Sequence, residues 1–295
     1  MKKIFPLLLI CFFTLIIQAQ PKSPKVNSKI KMDLFPSGLH FLPLKANYQE
    51  ARFGLLYYTD NSNLKLDIGN NVDLVRFYFR DIDGTLSLSI EFMGYALSTS
   101  YKGNRLQIDA LDGFFGGNAA FSQNYENGKF ISRFRIIHNS AHLVDGHYDK
   151  TLGKWINNIT PIPFTRDFGE LTFGYQFYPN FGSLRTYVTA AYATLVRPST
   201  LQKWSTYFGY ELAFKNVIDE IFNQDANLFI ANQFNIVGTP TYKLNTNLMG
   251  GIKFGDWDGK GLVFYLSYYV GANPFSEYYS QRIKKFGIGF FVDFF

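Results

Sequence analysis

The chain has 295 residues, among them 32 Phe and 20 Tyr; 18% are charged, the net charge is +6, and there is one cysteine. A mean hydropathy of −0.07 excludes a bundle of membrane helices, each of which would need about 20 apolar residues. The mild positive excess is not gathered into a basic stripe, which argues against a nucleic-acid partner.

Residues 1–20 read as a cleaved signal peptide. Lys2 and Lys3 form a positive start, Ile4 to Ile17 an apolar stretch too short for a stable span, and Gln18-Ala19-Gln20 a polar exit. Cys11 lies inside the apolar stretch without the small residues a lipoprotein signal places before its cysteine. The mature chain is therefore expected to hold no cysteine and no disulfide. Losing Lys2 and Lys3 lowers its charge to +4. Residues 21–50 carry Pro21, Pro24, Pro36 and Pro43 and little periodicity. They read as a periplasmic lead-in or a segment tucked into a lumen.

From residue 51 to 295 strict alternation dominates. Leu86, Leu88, Ile90, Phe92, Gly94 and Ala96 fall on one face of a strand; Phe286, Ile288, Phe290, Val292 and Phe294 do so near the C-terminus. These runs reach ten residues or more, the length a tilted strand needs to cross a bilayer and longer than the usual strand of a soluble sandwich. Alternation predicts strands near 51–59, 71–81, 84–98, 105–122, 129–142 and 167–178. It predicts six more near 183–196, 204–215, 226–236, 242–254, 260–271 and 284–295. The expected fold is all-β, a single-chain antiparallel transmembrane barrel of about 12 strands. An even count returns both termini to the periplasm. Tight turns at Asp83-Gly84, Glu126-Asn127-Gly128 and 256–259 suit that side, and the longer links at 60–70, 143–166 and 272–283 the other. The 216–225 link is long for its side. Together with the signal peptide and the terminal Phe295, this predicts the outer membrane of a Gram-negative bacterium. The expected partners are its lipids, and the barrel assembly machinery during biogenesis.

Two stretches carry a family resemblance. Phe35-Pro36-Ser37-Gly38, Phe41-Leu42-Pro43-Leu44 and Glu50-Ala51-Arg52-Phe53 resemble the opening of an outer-membrane family catalogued as domain of unknown function 1207. The run from Phe134 through Leu143, followed by Asp145, resembles that family's arginine, histidine, serine, histidine, leucine, acid signature. The resemblance implies an outer-membrane barrel and supplies no activity.

A looser resemblance joins His138 and Ser140 to the His-x-Ser pair of outer-membrane phospholipase A and the lipid A deacylases, where the pair faces lipid. In those enzymes asparagine and glycine follow the serine; here Ala141 and His142 do. Residues two apart on a strand share a face, so an imidazole there can take the proton of the hydroxyl. Phe130, Phe134 and Ile136 have the parity of His138 and Ser140, whereas Arg133, Arg135 and Asn139 have the opposite one. From the 126–128 turn His138 stands about 20–25 Å up, near the far rim of an apolar band. On the next strand Asp167 shares the outward parity of Leu171, Phe173, Tyr175 and Phe177 near the same rim. The expectation is a lipid acyl hydrolase with Ser140 as nucleophile, His138 as general base and Asp167 orienting the imidazole. Arg166, or backbone N–H groups near Ser140, would stabilise an oxyanion. The bland alternative leaves His138 and Ser140 as wetted rim residues.

The rival function is a non-enzymatic barrel: a small-solute channel, a ligand binder or a structural protein. For it the lumenal set Glu91, Arg133, Arg135, Glu170 and Gln176 is either a packed charge network or a pore lining. His138, His142 and His147 are too far apart along a strand to share an ion, so no metal is expected, nor any cofactor. His40 reads as structural. No residue argues for a dimer.

Overall fold

A computed structural model describes residues 29–101, 105–142, 148–155, 158–221 and 223–295. Residues 1–20, with Cys11, lie outside it, as do Leu143, Asp145 and His147. Twelve long antiparallel strands close into a barrel. They are β2 (Phe53–Tyr58), β3 (Leu64–Phe79), β4 (Gly84–Tyr101), β5 (Arg105–Tyr125), β6 (Gly128–His142) and β9 (Thr165–Phe177). The ring continues with β10 (Gly182–Arg197), β11 (Trp204–Ile221), β12 (Gln224–Gly238), β13 (Tyr242–Gly255), β14 (Gly261–Ala272) and β15 (Arg282–Asp293). Every neighbour is antiparallel, and β15 closes on β2 with Phe53 opposite Val292. Between β6 and β9 a minor hairpin, β7 (Tyr148–Asp149) and β8 (Lys154–Trp155), rises from the longest link.

Three boundaries differ from expectation. β3 begins at Leu64, well before residue 71, so the link before it shrinks to 59–63. Lys65 and Asp67 gave those residues the look of a loop, but both face inward, buried and paired with each other. β11 runs on to Ile221, and the long 216–225 link vanishes. The third is a further strand, β1 (Ile30–Leu34), inside the lead-in. It pairs with Val75–Phe79 along the same edge of β3 that β2 occupies higher up. One strand position is thus shared by two segments.

The chain between those segments enters the barrel. Phe35 (φ 47°) and Gly38 (φ 75°) make the corner, both in the left-handed region, and the Phe35 amide donates to the Leu74 carbonyl (2.9 Å). From His40 to Ala51 the segment is buried or half-buried by the wall. It has no ladder of its own, so side chains from the wall satisfy its backbone. Arg185 donates to the carbonyls of Leu42 (2.9 Å) and Pro43 (3.0 Å), Arg135 to that of Gln49 (3.1 Å), and Asn247 to that of Ala46 (2.7 Å). Charges fix the same segment. Glu50 is gripped by both terminal nitrogens of Arg133, and Lys45 meets Asp293 at 2.8 Å. The outer face is the reverse: Ile68, Ile90, Phe92, Phe134, Ile136, Phe173 and Val188 are all exposed. Apolar outside and charged inside fits a barrel wall that faces lipid.

Candidate functional site

Strand pleat alone fixes which way each candidate points. On β6 the odd positions Ile131, Arg133, Arg135, Ile137 and Asn139 are buried in the lumen, and Phe134 and Ile136 are exposed outside. His138 and Ser140 continue that outer row, half-buried among their neighbours. His138 stands directly opposite Asp167 on β9, and His138 Nδ1 lies 2.6 Å from Asp167 Oδ1. On its other side the imidazole packs on Phe115 of β5, ring centres 4.8 Å apart. An acid on Nδ1 leaves Nε2 as the nitrogen available to a reacting group, the arrangement a general base needs.

Asp167 is itself held in place. Beside it β10 carries a bulge between Ala193 and Leu195, and Thr194 Oγ1 donates to the Asp167 carbonyl at 3.2 Å. Bulges of this kind re-aim a strand where a side chain must be placed. Ser140 is one outward position nearer the rim, level with Gly113 on β5 and Thr165 on β9. A Cβ built on Gly113 would stand 4.0 Å from Ser140 Oγ, in ordinary van der Waals contact with it. Below the three residues the outer surface is mostly apolar, with Ile136, Phe134, Leu171 and Phe173 exposed. In register with Ile136 and Gly169, the exposed Tyr192 packs on Trp204, the rings tilted and their centres 4.8 Å apart. Such amphipathic rings mark the boundary between hydrocarbon and headgroups.

One expected role fails. Arg166 cannot stabilise an oxyanion beside Ser140, because the alternation that turns Asp167 outward turns Arg166 into the lumen. There its guanidinium lies 4.2 Å over the Phe168 ring. His40 sits inside the barrel, its Nδ1 3.1 Å from Ser87 Oγ and its Nε2 2.7 Å from Ser122 Oγ. Burial, aided by Arg76 and Lys129, pushes its pKa down to about 4. Among the described residues no three His, Cys, Asp or Glu side chains converge as a metal site; the His142 side chain and His147 lie outside them.

The lumenal set forms a network. Arg135 binds Glu170 (2.5 Å) and Glu91 (2.7 Å), Arg133 binds Glu50, and Gln176 donates to Ser183 (3.0 Å). Sequence reasoning left out Glu50 and Lys45, the charges that tie the inner segment to the wall. A signal was present, since Glu50 belongs to one stretch carrying the family resemblance and Arg135 to the other. Arg133 and Arg135, flanking the start of the second stretch, bind Glu50 and the Gln49 carbonyl beside it in the lumen. Burial would raise the Glu50 carboxyl, but Arg133, Arg135 and Arg52 outweigh it and hold it well below the usual carboxylate range.

A family model described as a protein of unknown function, DUF1207, matches residues 28–294. No curated protein and no solved structure matches the chain.

Proposed function

Since the chain belongs to the DUF1207 family, whose name supplies no activity, we propose from its own geometry that it is an outer-membrane acyl hydrolase acting on outer-leaflet lipids. The observation that carries this is the His138–Asp167 pair, 2.6 Å apart on the outward face of two neighbouring strands. Ionisable side chains facing lipid are costly, and where they persist they mark function. In this reading Ser140 Oγ attacks the acyl carbonyl and its proton passes to His138 Nε2. That proton then goes to the departing oxygen or nitrogen, and water frees the fatty acid from Ser140 by the same relay. Asp167 holds the tautomer and supports the imidazolium. With Arg166 facing inward, the oxyanion would have to draw on backbone N–H groups near Ser140, of which that of Ala141 donates to the Phe164 carbonyl (3.0 Å) in the free protein. The rival channel finds no support, because the inner segment and the Arg133 and Arg135 network occupy the lumen. The apolar outer face of the strands and the tight turns on one side support delivery to the outer membrane by the barrel assembly machinery.

The test is acyl release from native outer-membrane lipids by the refolded protein. Ser140→Ala and His138→Ala should each lower the rate roughly 10²–10⁴-fold, the usual worth of a nucleophile's base. Asp167→Asn should fall within the same range. Folding is checked separately by heat-modifiable gel mobility. Equal release from wild type and Ser140→Ala, or none from either across calcium and pH, would overturn the assignment.

A further inference from the structure

At the end of the barrel that carries the tight turns, a cavity of about 230 Å³ opens between the inner segment and the wall. Leu39, Phe41 and Leu42 form one side, Ile131 and the Tyr178 ring the other. Its polar groups are nearly all committed. His40 is bound by Ser87 and Ser122, and Arg185 by Glu211 and two carbonyls. Asp258 takes Lys215 at 3.0 Å and Gln176 at 3.4 Å. Two groups remain. The half-buried Lys129 ammonium and the Tyr178 hydroxyl have no acceptor among the described residues, and both can donate.

We propose that this cavity binds a small monoanion with an apolar body, a short-chain carboxylate, entering from the end that carries the turns. The Lys129 ammonium feels the Asp258 carboxylate only at a distance, and that carboxylate is already held by Lys215 and Gln176. A bound carboxylate would give the ammonium its hydrogen-bonded partner, and the phenol offers the second oxygen a donor. The leucines, Phe41 and Ile131 suit a short hydrocarbon tail. The volume falls below the ~300–1,000 Å³ of sites for drug-sized ligands, which limits the guest to a short chain. Lys129 and His138 stand nine positions apart along β6, so the cavity and the acyl-transfer site are separate, and neither assignment depends on the other.

The measurement is calorimetric titration of the refolded protein in nonionic micelles with hexanoate, against a micelle blank. Saturable binding is expected, and Lys129→Met should weaken it about tenfold or more, the worth of roughly one charge-assisted hydrogen bond. Lys129→Arg should keep it, and hexanol and inorganic phosphate should each bind much more weakly. Leu39→Trp, which fills the cavity from the inner segment and leaves Lys129 in place, should abolish binding. No saturable binding by the folded wild type would overturn the proposal. So would hexanoate binding unchanged in Lys129→Met or in Leu39→Trp.

Discussion

His40 and Glu277 bear on stability through protons, in opposite senses. His40 titrates near 4 in the folded chain because burial disfavours its cation, so the unfolded chain binds more protons between about pH 4 and its ordinary 6.5. Its share of stability is therefore lost as pH falls through that window. Glu277 is almost wholly buried, in a 3₁₀ turn at the opposite rim, and its carboxylate oxygens have no hydrogen-bond partner among the described residues. Burial, with Asp112 adding, raises it to about 8. Here the folded chain binds more protons between the ordinary 4.5 and 8, and stability falls as pH rises. Thermal unfolding should show each dependence once the other is removed. His40→Gln should flatten the acid side, and Glu277→Gln should stabilise the protein most above pH 7. A Glu277→Gln variant that loses stability at pH 8 would refute the second assignment. At this scale the outward row of β6 was legible, since a two-residue period leaves His138 and Ser140 no other face. Arg166 was misread only because the period was applied to Asp167 and not to its neighbour.

Most strands were legible from an apolar outer row, as along Leu86–Ala96, even where β6 turns Arg133 and Arg135 inward. What escaped was a strand start whose inward charges read as a loop. It is the start of β3, with Lys65 and Asp67 written into a strand for the sake of the lumen. The inner segment shows no period at all, because side chains of other strands, rather than a ladder, satisfy its backbone. What it does carry is charge in the right places. Removing the Glu50 charge leaves Arg133 buried with only Glu170, 3.9 Å away. Glu50→Gln should therefore cost roughly 3 kcal/mol, the lower end for breaking a buried pair. Urea titration in micelles should read this as a lower midpoint with the barrel's slope retained. An unchanged midpoint would mean that the Lys45–Asp293 pair and the carbonyl contacts from Arg185, Arg135 and Asn247 hold the segment without it.

For the whole molecule, the side of the wall decides what a substitution does. Ile136 is 62% exposed on the outer face, a position where a soluble protein would accept lysine without cost. In a bilayer Ile136→Lys should destabilise the folded barrel by about 2–4 kcal/mol, less if the residue lies near the interface. Folding titrations into phospholipid vesicles would measure this. A neutral outcome there, with normal folding in micelles, would argue that this face does not meet hydrocarbon.

The sharing of one edge of β3 by β1 and β2 has a consequence for assembly. The inner segment is covalently continuous with both, so it cannot be withdrawn like a stopper while the wall stays shut. It leaves only if β1 peels away or if β2, paired on both sides, parts from its neighbours. The pairing of Phe53 with Val292 joins nearly opposite ends of the chain, and such a contact forms late because its loop is the longest to close. The last seam to zip is then also the one that encloses the inner segment, and occupancy of the lumen should be settled by the order of folding rather than by any later binding equilibrium.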